Sequence, residues 1–166
     1  MMSNRWRGAA TGLILLLCYA GSPNTAKAAS WNGIEPFKTR RADVLKILGK
    51  PVSESAAGVL RFEVVGGTVW VSFVDEKFVN SKKLRPEVAG TVLEIVLQHE
   101  RSSDTPASMR LLKNRDFVRD EGRNASVFRN LKEGIIYTFV AGNLRTTRFT
   151  SSEAQLGHAR RSGSGR

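Results

Sequence analysis

Apolar and polar positions alternate on both sides of Gly66-Gly67, and this is the clearest local pattern in the chain. The alternation predicts strands over 59–65 and 68–74 joined by a two-residue turn at those glycines. In that register Leu60 faces Phe73, Phe62 faces Val71 and Val64 faces Val69, so one side of the hairpin is wholly apolar. The other side pairs Arg61 with Ser72 and Glu63 with Trp70, as a solvent-facing surface would. Just upstream, 39–51 reads as a short helix. Thr39 is placed to cap it, Val44, Leu45, Ile47 and Leu48 form its apolar stripe, and Gly49 and Pro51 end it. Ile34 and Phe37 are expected to pack back on the same stripe.

Residues 75–90 are polar and read as a long loop. A third strand is predicted over 91–99, with Leu93, Ile95 and Leu97 on one side and Glu94 and Gln98 on the other. Residues 101–106 form a second linker, and 109–118 a short helix or irregular turn. Three further strands follow over 127–130, 135–140 and 144–149, joined by Leu131-Lys132-Glu133-Gly134 and by Gly142-Asn143. A helix followed by three antiparallel strands thus occurs about twice, as a layout and without a residue-level repeat. The fold class expected is α+β, an antiparallel sheet with short helices packed on one face.

The first 28 residues change the picture of where this domain works. Arg5 and Arg7 precede the apolar run around Leu13-Ile14-Leu15-Leu16-Leu17, and Ala26-Lys27-Ala28 supplies the small residues of a cleavage site. Residues 1–28 therefore read as a secretory signal peptide cut after Ala28, with Ala29 the next choice. The apolar run is about half the roughly 20 residues that cross a bilayer, so no transmembrane helix is expected after cleavage. Leu15-Leu16-Leu17-Cys18 also resembles a bacterial lipoprotein box, which would make Cys18 a lipid anchor, although Leu17 stands where a small residue is usual. The remaining organisation is one domain over 29–152 and a basic, disordered tail over 153–166.

The 166 residues carry 26 Lys and Arg against 15 Asp and Glu, a formal charge of +11. Removing the signal takes away Arg5, Arg7 and Lys27 and no acid, so the exported chain is at +8. Arg160, Arg161 and Arg166 lie in the expected tail, leaving the folded part only modestly basic. That argues against nucleic acid as a partner, as does export itself. With one cysteine, in the signal, and two isolated histidines, His99 and His158, there is no metal-ligand spacing and no cofactor is expected.

Catalysis needs a nucleophile, a base and an orienting acid in one place. A serine triad would have to recruit His99, with Glu94 or Glu100 beside it in sequence, whereas a histidine at a strand end is ordinarily solvent-facing. The adjacent acids Asp75-Glu76 and Asp120-Glu121 fall at a strand end and in a turn, where carboxylates are usually just solvated. Lys38, Arg40 and Arg41 gather at the start of the first helix. There they could receive an acidic partner or a phosphate head group, or simply form a solvated face partly neutralised by Asp43. Trp70, on the polar side of the hairpin, covers Glu63, packs under the 75–90 loop, or belongs to an exposed contact patch with Arg61 and Glu63.

Trp31-Asn32-Gly33-Ile34-Glu35-Pro36, Thr39-Arg40-Arg41-Ala42-Asp43-Val44 and Leu48-Gly49-Lys50-Pro51 resemble the opening of a group of uncharacterised secreted bacterial proteins. The resemblance continues through Val88-Ala89-Gly90-Thr91-Val92-Leu93-Glu94-Ile95 and Asn130-Leu131-Lys132-Glu133-Gly134-Ile135. More distantly, a threonine-led helix ending in Leu-Gly-x-Pro before a hairpin is similar to SmpA/OmlA (BamE-like) outer-membrane assembly modules and to β-lactamase-inhibitor-protein-like modules. Both imply a small exported α+β binding protein without catalysis. The function expected is a non-enzymatic accessory module of the bacterial envelope, periplasmic or secreted. Its contacts with an envelope protein would come from Lys38, Arg40, Arg41, Arg61, Glu63 and Trp70. The alternatives are a binder of anionic ligands, such as lipid head groups or acidic cell-wall polymer, and a hydrolase.

Overall fold

The structure is a computed structural model that describes residues 28–160. Residues 1–27, which include Cys18 and all of the expected signal but Ala28, and residues 161–166 lie outside it. Eight antiparallel strands form one sheet: β1 (Ser53–Glu54), β2 (Leu60–Val64), β3 (Gly67–Phe73), β4 (Val92–His99), β5 (Val118–Glu121), β6 (Ala125–Asn130), β7 (Ile135–Val140) and β8 (Asn143–Thr150). Their order across the sheet is β1-β2-β3-β4-β8-β7-β6-β5, two four-strand meanders joined where β4 pairs with β8. Three short helices complete the α+β fold: α1 (Arg41–Leu48), α2 (Glu76–Ser81) and α3 (Glu153–Ala159). Each half supplies four strands, α2 falls between the third and fourth, and only a 3-10 turn at Leu111–Lys113 opens the second half. The element order is therefore not a helix followed by three strands, twice over.

The first hairpin turns at Val65-Gly66, two residues earlier in register than the glycine pair suggested. Leu60 faces Val71, Phe62 faces Val69, Arg61 faces Trp70 and Glu63 faces Thr68. Gly66 takes φ 84, the conformation the turn needs, while Gly67 already belongs to β3. A slip of two residues keeps every side chain on its expected face, so the apolar and polar sides survive the correction.

One side of the sheet buries the core. Leu60, Phe62, Val69, Val71, Ile95 and Phe149 meet Ile34 and Val44, with α1 laid across them. Helix α1 begins one residue later than its sequence suggests. The Thr39 hydroxyl accepts from the Glu35 N–H at 2.9 Å instead of capping the helix, because the Thr39 carbonyl is already paired with the Val92 N–H at 2.8 Å. Ile47, expected in the apolar stripe, is exposed. A second cluster, Leu111, Phe128, Phe139 and Leu144, lies where β6 to β8 are covered by the 3-10 turn; of the two readings of 109–118 the structure has the irregular turn, its last residue opening β5.

The third cluster gathers α2 and α3 at one end of the sheet, where β3 and β8 finish and β4 begins. Val74, Val79, Leu84, Val88 and Ala159 are buried there, and Phe37 meets Phe78 edge-on at 6.5 Å rather than packing with Ile34. A bulge between Ser72 and Phe73 sends Leu93 into this cluster, away from Ile95 and Leu97. Two sequence expectations give way here. The 75–90 loop contains α2, because the Asp75 carboxylate accepts from the Phe78 N–H at 2.6 Å as an N-cap. The supposed tail contains α3, nucleated by a capping box in which Ser152 and Gln155 each accept from the other's backbone N–H. Gln155 also donates to Glu35 and to the Pro36 carbonyl, both at 2.9 Å, fastening α3 to the chain's opening segment.

Candidate functional site on the open face of the sheet

Alternation fixes what the other side of the sheet displays. Following direct cross-strand partners from β2 to β5 gives Arg61, Trp70, Val96, Arg148, Ile136, Arg129 and Val118, one residue per strand. Beside this row lie Glu63, Thr68, Gln98, Thr146, Thr138, Val127 and Asp120. No described helix is laid across the middle of this face, since α1 packs on the core side and α2 and α3 sit at the sheet's end. Trp70, Val96, Ile136 and Val127 are half-buried on this face. Trp70 is therefore not packed into the α2 cluster that fills the 75–90 segment.

Each arginine of the row has a carboxylate on the same face. Arg61 approaches Glu63 at 3.6 Å, Arg148 approaches Glu94 at 3.1 Å, and Arg129 pairs with Asp120. The three pairs balance one another in charge. Burial pushes the Glu94 carboxyl above its ordinary range, and the Arg148 guanidinium beside it opposes that shift. The Arg129 Nε is buried and has no hydrogen-bond partner among the described residues. The face is thus a chequer of neutralised charges, threonine hydroxyls and apolar islands.

The helix-start cations are elsewhere and are engaged. Lys38 reaches Glu35 at 3.0 Å. Arg40 donates to the Glu87 and Ala89 carbonyls at 3.2 and 3.3 Å, satisfying the end of the 3-10 turn at Pro86–Val88. Arg41 pairs with Glu54 at 2.6 Å and lies 5.5 Å over the Phe73 ring. Asp43 is paired with Lys46 at 3.5 Å, so Glu35 and Glu54 supply the neutralisation expected of it. Of the six residues expected at a contact site, the sheet brings Arg61, Glu63 and Trp70 together. It leaves Lys38, Arg40 and Arg41 around α1, on its opposite side.

His99 points to the core side, where its Nε2 lies 2.9 Å from the Thr147 hydroxyl. Burial pushes its pKa below the ordinary value, against the raising influence of Asp104. Neither Glu94 nor Glu100 is the partner that a triad reading required: Glu94 is held by Arg148, on the other face. Asp75 is spent as a cap, and Asp120 and Glu121 are paired with Arg129 and Arg119. Among the described residues no three His, Cys, Asp or Glu side chains gather as a metal site, and no helix is long and apolar enough to cross a membrane.

Sequence reasoning missed Val96, Arg148, Ile136 and Arg129. Alternation within β7 and β8 marks the outward positions, as in Thr146-Thr147-Arg148-Phe149-Thr150, but joining them into one surface requires the β4–β8 pairing, which links segments about fifty residues apart. No family model matches this chain, and neither a curated protein nor a solved structure matches it.

Proposed function

We propose that this chain is exported by a signal peptide cut after Ala28, and that it serves in the bacterial envelope as a non-catalytic module capturing another protein on the open face of its sheet. The observation that carries the reading is the row of half-buried Trp70, Val96 and Ile136 set between Arg61, Arg148 and Arg129. Aromatic and arginine side chains ringed by polar groups are what protein contact patches are rich in. Charge balance favours a mixed protein surface over an acidic polymer, because each guanidinium already has a carboxylate. Ala29 suits the cut: it packs against the core, and its N–H donates to the Glu133 carbonyl at 2.8 Å, so cleavage before it leaves the docked residue in place. The resemblance to secreted proteins and to BamE-like modules points the same way.

A photoreactive amino acid at position 70, compared with one at Ala42 on the opposite side, tests this in producing cells. One discrete crosslinked protein from position 70, absent from position 42 and diminished by Arg148→Ala, is the expected result. Equal labelling from both positions, or none from position 70, overturns the site.

A further inference from the structure

The end of the sheet carries a second feature, independent of the open-face reading. Between α2, α3 and the edge of β4 runs a groove of 340 Å³, lined by Phe78, Leu93 and Leu156 below and by Lys82 and Arg160 at its rim. It continues along α3, past Leu156 and Arg160, as a further hollow of 410 Å³. These volumes lie in the range of roughly 300–1,000 Å³ typical of small-ligand sites.

This groove sets unspent positive charge beside apolar lining. The arginines of the sheet face are paired with carboxylates, and Lys38 and Arg41 likewise. Among the described residues, the side chains of Lys82 and Arg160 pair with no carboxylate, although both are exposed beside apolar lining. Glu94 also borders the groove, but Arg148 neutralises it at 3.1 Å. Two free cations over an apolar floor are complementary to one chemistry: an alkyl chain ended by a single anionic group. We propose that this groove binds a fatty carboxylate, its chain along Phe78, Leu93 and Leu156 and its head between Lys82 and Arg160.

The probe is laurate, kept below its micelle concentration and titrated into the purified protein while methyl resonances of the leucines and the Trp70 indole are followed. Saturable shifts at Leu93 and Leu156, with Trp70 unmoved, support the groove. The Lys82→Glu, Arg160→Glu double variant should weaken laurate by about tenfold, because both cations then repel the head group. Dodecyltrimethylammonium should bind the natural protein more weakly than laurate does. No saturable binding, shifts centred on Trp70, equal affinity for the two amphiphiles, or unchanged laurate affinity in the double variant would each overturn the proposal. Circular dichroism of the variant, whose two changes are on exposed side chains, shows that it is folded.

Discussion

Gly67 stands directly across from His99 where β3 meets β4, and there is no room for a side chain between the strands. A Cβ at Gly67 would lie 2.0 Å from the Gln98 carbonyl oxygen, against the backbone itself. The neighbouring Gly66 has open space but φ 84. Gly67→Ala should therefore destabilise the fold by about 2–3 kcal/mol by forcing the strands apart, and Gly66→Ala by about 1 kcal/mol through backbone strain. Urea unfolding of both variants checks the order, and equal losses would contradict the close approach.

Phe139 and Phe128 meet edge-on at 5.6 Å in the cluster under the 3-10 turn, both essentially without solvent contact. Phe139→Ala should cost about 3–5 kcal/mol, the usual range for emptying such a site. A loss under 1 kcal/mol, measured by the same unfolding, would mean that this end of the sheet is loosely packed.

His99 has a lowered pKa in the folded chain, chiefly from burial. As pH falls the unfolded chain takes up that proton first, so the stability His99 contributes is complete above its ordinary 6.5. It is lost as pH drops from 6.5 toward the lower folded value. His99→Gln keeps a hydrogen-bonding side chain near Thr147 without titrating. Stability against pH should lose its downward slope in that window, and an unaltered slope would assign it to other groups.

Ser152 and Gln155 close the first turn of α3 reciprocally. Ser152→Ala should cost about 1 kcal/mol and speed amide exchange across 153–159 more than in β4. Unchanged exchange there would show that the Gln155 contacts with Glu35 and Pro36 hold the helix by themselves.

Much of this architecture is written locally. The first hairpin, α1 and the β6–β8 meander each announce themselves by periodicity and by Gly or Asn punctuation, because their contacts lie within a few residues. The misreadings have a common cause. Gly66-Gly67 looks like a turn, yet Gly67 is glycine because of Gln98, far along the chain. Thr39 looks like a cap, yet its carbonyl is claimed by Val92. Segments 75–90 and 153–160 look polar because α2 and α3 are short and bury only single residues such as Val79 and Ala159. The open face was half legible for a similar reason. Arg61, Glu63 and Trp70 share a hairpin, while Arg148 and Arg129 join them only through the pairing of two distant meanders.

The two margins of the sheet are unlike its interior. β1 offers just two residues, and β5 spends three of its four on Arg119, Asp120 and Glu121. An eight-strand sheet with long, plain borders could recruit further chains strand by strand and grow into fibrils. Here one border is too short to template a neighbour and the other is studded with charge. Growth in the plane of the sheet is therefore opposed at both described margins, while its broad face stays open.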